Sequence, residues 1–146
     1  MGLHAPGSKT ETAIVLIVND DDGARSAHAA ALRSAGYTVE EATTRATALA
    51  TTRRARPDLV ILDRTLPDGD GFAIVGDLRR LVAELPIIAL APLGRGETMN
   101  RSLVAGCDAF LETPCDPEAI VAQVTRLLAL RAPKTTLRRR RFDRDG

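Results

Sequence analysis

The chain has no tryptophan, one tyrosine and three phenylalanines, so aromatics make up only 3% of its 146 residues. Proteins that hold single-stranded nucleic acid stack bases on such rings, so their scarcity argues against that class. There are two cysteines, Cys107 and Cys115, too few for a disulfide framework or a zinc site. They read as reduced structural or surface cysteines; a reactive thiol at Cys115, beside Pro114, is the weaker reading. His4 and His28 stand far apart without ligand-like neighbours and read as surface histidines. No uncharged apolar run approaches the ~20 residues of a membrane span. Met1 to Thr12 has neither the basic end nor the apolar stretch of a signal peptide. A cytoplasmic protein without a membrane partner is expected.

What is present is an ordinary globular mix, 45% apolar and 27% charged. The length suits one domain with a core of its own. A formal net charge of +1 hides an asymmetry, because residues 131–146 hold seven basic and two acidic side chains. The body is therefore mildly acidic and the tail basic. The tail, with Arg138 to Arg141 in a row, suits an acidic surface or serves only as a solvated end. Nucleic acid is an unlikely partner except through that tail. No DNA-binding output domain is expected in the fifteen residues after Arg131.

Residues 1–12, rich in Gly, Pro, Ser and Thr, read as a flexible arm, 13–131 as the folded domain and 132–146 as the basic tail. Ala13 to Val18 is short, β-branched and apolar throughout, as a strand buried on both faces is. Helical spacing of apolar residues follows from Gly23 to Ala35, with Asp22 as the expected N-cap and Gly36 past the end. Tyr37 to Ala42 alternates as a strand, and Thr43 to Ala55 reads as an Ala-rich helix. Leu59 to Leu62 is a second buried strand with Asp63 at its carboxyl end. Arg64 to Gly71 is a loop dense in Pro, Asp and Gly. A helix is expected over Phe72 to Leu85, a strand over Pro86 to Ala91 and a short helix from Glu97 to Ala105. Asp108 to Glu112 is the last strand. Asp116-Pro117 opens a final helix reaching about Arg131. Five strands alternating with five helices predict an α/β fold, a doubly wound five-stranded parallel sheet with helices on both faces, flavodoxin-like.

In such a sheet the site lies at the carboxyl ends of the strands, where the strand order switches. Asn19, Asp20, Asp21, Asp63, Ala91 and Thr113 all fall near that edge. Carboxylates from two strands repel unless a cation bridges them. A hard ion such as Mg²⁺ suits carboxylate, carbonyl and water oxygens. An aspartate beside it can act as a nucleophile toward phosphorus. Asp63, between an apolar strand and Pro67-Asp68-Gly69-Asp70-Gly71, is read as functional. Asp21 and Asp22 are read first as solvated cap residues.

Over nearly all of 13–131 the sequence resembles the receiver domain of two-component response regulators. The resemblance rests on an apolar strand ending in an acidic position pair and Arg25 shortly after. It continues with Pro57-Asp58-Leu59-Val60-Ile61-Leu62-Asp63, then Leu66-Pro67, Asp70-Gly71, Leu85-Pro86 and Gly106. It implies that Asp63 accepts phosphate from a histidine kinase, that Asp20 binds Mg²⁺, and that Thr65 offers the metal its backbone carbonyl. The implied partners are a histidine kinase or phosphotransfer protein; a homodimer is left open.

Three positions depart from the family's pattern. Its first acidic residue is Asn19 here, its switch Ser/Thr is Ala91, followed by Pro92, and its Lys is Thr113, before Pro114. The aromatic switch position is kept as Phe110. Losing one acid and one ammonium leaves the pocket charge unchanged, so a weak Mg²⁺ site is expected, with Asn19 holding a coordinated water and Asp21 able to swing in. Arg64 and Arg95 are candidate replacement cations, more simply read as solvated arginines. The expected function is a stand-alone, non-enzymatic receiver acting through protein–protein contacts. The alternative is a pseudo-receiver used as a phosphorylation-independent interaction module. A Mg²⁺-dependent phosphatase fits poorly, because Asp63-Arg64-Thr65 lacks a second acid to act as general acid.

Overall fold

A computed structural model describes residues 12–92 and 105–131. Five strands form one parallel sheet: β1 (Ile14–Val18), β2 (Thr38–Ala42), β3 (Leu59–Asp63), β4 (Ile87–Pro92) and β5 (Ala109–Thr113). Their order is β2-β1-β3-β4-β5, so the chain reverses its direction of travel between β1 and β3. The described helices are α1 (Asp22–Ser34), α2 (Arg45–Ala55), α3 (Val75–Leu81) and α4 (Pro117–Leu130). This is the doubly wound fold expected from the sequence. The helix expected from Glu97 lies outside the described residues except for Ala105, as do the arm up to residue 11, His4, Arg95 and the tail 132–146. Among the described residues no helix is long and apolar enough to cross a membrane.

Strand periodicity sends alternate side chains to opposite faces, and here both faces are covered. Val15, Ile17, Leu59, Ile61, Ile88 and Leu90 pack under α1 and α4, with Leu32, Ile120 and Val124. Leu16, Val18, Val60, Leu62, Ile87 and Ala89 pack under α2 and α3, with Ala48, Val75 and Leu78. The unbroken apolar runs of the sequence follow from this two-sided burial.

Several local expectations are corrected. The N-cap of α1 is Asp21, not Asp22: its carboxylate accepts the Ala24 N–H at 3.1 Å. Asp116 precedes Pro117 as expected, but its side chain makes no cap hydrogen bond. The helix expected over Phe72 to Leu85 is a 3₁₀ turn, Gly71–Ile74, then α3, which stops at Leu81. Val82 is extended and Glu84 has a φ of 60°. Arg79 fixes this stop by donating to the carbonyls of Leu85 at 3.0 Å and Gly106 at 2.7 Å. Within the expected loop 64–71, Thr65–Leu66 and Gly69–Asp70 pair antiparallel. His28 is buried, at 4% exposure, between α1 and the segment after β5. Burial lowers its proton affinity, partly offset by its hydrogen bond to the Cys115 backbone.

Candidate functional site

Parallel pairing brings the carboxyl ends of β1, β3, β4 and β5 side by side. Val18 is level with Leu62, Asp63 with Leu90, and Pro92 with Thr113. Asn19, Asp63, Ala91 and Thr113 thus come together along one edge, across the switch in strand order. Asn19 is buried; its N–H donates to the Ala42 carbonyl at 3.0 Å and its side-chain oxygen accepts the Asp21 N–H at 2.9 Å. That bond turns the chain so that Asp20 is exposed at the rim. Asp21 spends its carboxylate on capping α1 rather than swinging in.

Arg25 holds this turn from α1. It donates to the Asn19 carbonyl at 2.8 Å, to Glu41 at 2.9 Å and to Asp22 at 2.7 Å. The sequence marked Arg25 only by resemblance; its partners lie sixteen residues away on β2 as well as on its own loop.

Asp63 is half-buried at the end of β3. Burial pushes its carboxyl up to about 6; the Thr65 N–H opposes this, and the charges of Asp20 and Asp21 add to it. Gly71 packs against this strand end so closely that a Cβ there would stand 2.0 Å from the Asp63 carbonyl oxygen. The Asp70-Gly71 pair therefore has a steric reason: Asp70 caps the 3₁₀ turn through the Phe72 N–H at 2.9 Å, and Gly71 admits the strand. Arg64 lies 4.0 Å from Asp70, an ion pair beside Asp63.

A hard divalent cation fits this donor set. A desolvated carboxylate with a raised proton affinity, crowded by two like charges, gains from a dication. Among the described residues no three or more His, Cys, Asp and Glu side chains could hold a metal ion by themselves. Asp20 and Asp63 would supply two carboxylates, with the Thr65 carbonyl and water completing the shell.

Ala91, Thr113 and Phe110, expected from the resemblance to be switch positions, offer neither a cation nor a buried hydroxyl at the end of β4. Ala91 is fully buried and has no hydroxyl. Thr113 is half-buried, next to a cis peptide to Pro114. Phe110 is level with Ala89 and packs on the core beneath α2 and α3. Both thiols are half-buried and raised by that burial, Cys107 to about 11, which lowers the thiolate fraction of each.

A family model for the response regulator receiver domain matches residues 15–125. The chain belongs to the response regulator receiver family. Among its relatives, the DNA-binding dual master transcriptional regulator RpaA of Synechocystis sp. is 34% identical over 116 residues, covering 78% of this chain and 48% of that protein. The phosphate regulon transcriptional regulatory protein PhoB of Pseudomonas aeruginosa is 33% identical over 121 residues, covering 82% and 53%. This receiver chain spans about half the length of these curated relatives. The CheY-like receiver domain protein of Methanospirillum hungatei superposes with a TM-score of 0.78 at 26% identity, over 84% of this chain and 98% of that one. The chemotaxis response regulator CheY4 of Vibrio cholerae gives 0.74 at 31% identity, over 80% and 99%. Receiver domains are signalling modules of two-component systems, and this chain shares their fold and their sequence pattern.

Proposed function

We propose that Asp63 accepts a phosphoryl group from a histidine kinase or phosphotransfer protein, and that the chain acts as a stand-alone receiver through protein–protein contacts. One observation carries this reading: a half-buried aspartate at the switch point, next to Asp20 and framed by Gly71. An Asp63 carboxylate oxygen attacks the phosphorus of a phosphoimidazole. The P–O bond forms as the P–N bond breaks, and the imidazole leaves, taking up a proton. Bound Mg²⁺ would neutralise charge on the transferring group. The Thr65 N–H holds the acceptor carboxylate in place. The acceptor must be ionised to attack; burial holds its metal-free carboxyl up to about 6, and a bound dication would lower it and extend the reaction to lower pH.

The phosphoryl oxygens have fewer partners than in the family's pattern, since Ala91 and Thr113 offer neither the hydroxyl nor the ammonium. Charge-assisted hydrogen bonds contribute ~1.5–3 kcal/mol and neutral ones ~1, so the adduct forms in lower yield. The same observation favours a second reading, the pseudo-receiver. Intact-mass spectrometry after acetyl phosphate and Mg²⁺ separates the two. One phosphoryl adduct, absent in Asp63→Asn, supports the first reading; a chain that stays unmodified supports the second. The arm 1–12 and the basic tail 132–146 are proposed to flank the domain, the tail meeting an acidic partner.

A further inference from the structure

Asp68 stands at the tip of the segment that follows the acceptor strand, and the proposed function gives it no part. Its carboxylate accepts the N–H of Arg45 at 2.8 Å and of Ala46 at 3.1 Å. These are the first two residues of α2, whose own cap, Thr44, serves the Thr47 N–H instead. Such leading N–H groups have no partner within a helix, so a residue twenty-three positions away supplies it. The contact is returned, because the Arg45 guanidinium donates to the Asp68 carbonyl. That guanidinium lies against Gly69, where a Cβ would come within 2.6 Å of it. Gly69 also has a φ of +133°, which side chains rarely adopt. Carboxylate, guanidinium and glycine thus form one two-way clamp.

The base of the same segment is fixed too. Thr65 and Leu66 pair with Asp70 and Gly69. Gly71 donates to the Arg64 carbonyl at 2.7 Å and abuts Asp63. Thr65 belongs to that base, and the clamped tip at Asp68 follows it across the same short hairpin. The Thr65 N–H bonds Asp63, and its carbonyl is the third ligand of the proposed cation site.

We propose that Asp68 is a positioning residue: by clamping this segment to the N-terminus of α2, it sets the Thr65 peptide for both Asp63 and the cation. This rests on the cation site of the proposed function. Linkage makes the effect reciprocal, so a cation that gains from the clamp also tightens it.

The test is a Mg²⁺ titration of the full chain, read by thermal shift and by amide hydrogen exchange at Arg45 and Ala46. Mg²⁺ should slow exchange at both amides. Asp68→Ala should raise the Mg²⁺ dissociation constant about three- to tenfold, at or below the 10–100-fold typical of groups bonded directly to ligands. Asp68→Asn, which keeps one acceptor, should fall between. Arg54→Ala, on the same helix, removes an exposed ion pair to Glu40 of β2 and should leave Mg²⁺ affinity unchanged. Wild-type affinity in Asp68→Ala, or Mg²⁺ binding that leaves both amides unaffected, overturns the clamp while the cation site stands. A wild-type chain that binds no Mg²⁺, behaving as Asp63→Asn does, overturns both.

Discussion

At the residue scale, Asp63 links stability to pH. Its folded-state proton affinity, about 6, exceeds the ordinary 3.8. The folded chain therefore holds the proton more tightly, and unfolding releases it between these values. Asp63 adds stability below about pH 4, and that contribution is lost as pH rises to about 6. In metal-free buffer at pH 7.5, Asp63→Asn should stabilise the fold by about 1–2 kcal/mol after allowing for solvent screening, and should flatten this slope. Denaturation of both proteins from pH 4 to 8 checks it; an unchanged slope in the variant would place the titration elsewhere. Gly71→Ala must push a methyl into the Asp63 carbonyl, so a loss of about 1–3 kcal/mol is expected in urea melts, with loss of Mg²⁺ response. The sequence announced Asp63 because a charge after four apolar residues is conspicuous. It hid Asp68 and His28, whose partners lie at Arg45 and Cys115, far away in the chain.

At the element scale, β4 and β5 end without the groups that would answer a phosphoryl group. Ala91 is buried without a hydroxyl, and Phe110 already rests against the core. The domain should then stay near one state whether phosphorylated or not. Ala91→Thr and Thr113→Lys together, with Asn19→Asp to restore the charge balance, should raise the yield or lifetime of the aspartyl phosphate. They should also enlarge amide shifts around Phe110. Broad wild-type shifts at residues 105–113 on ready phosphorylation would defeat this view of a weakened switch. All five strands were legible: β1, β3 and β4 are unbroken apolar runs buried on both faces, and β2 alternates. It overextended the helix after Phe72, since what ends α3 is Arg79 reaching the carbonyls of Leu85 and Gly106.

For the whole molecule, metal binding and folding are one equilibrium. A cation that binds only the folded chain stabilises it by ~1.4 kcal/mol at ten times its dissociation constant. For a domain of this size that raises the melting temperature by about 3–6 °C. Mg²⁺ at tens of millimolar should produce this rise above pH 6 in the wild type and not in Asp63→Asn. No shift in either protein would remove the proposed site. The gain should vanish near pH 4.5, where protons occupy Asp63.

The sequence by itself determined the order of strands and helices, the parallel sheet and the edge on which Asn19, Asp20, Asp63, Ala91 and Thr113 fall. Hydrophobic period and chain connectivity are local properties, and right-handed crossovers leave little else to choose. Only the tertiary structure decided which acid caps α1, where α3 stops, that His28 is buried, and that the segment after Asp63 is clamped to α2. Each of these depends on a hydrogen-bond partner or a packing surface contributed by a distant part of the chain. A side chain's own neighbours in sequence carry no record of which backbone group across the fold will need it.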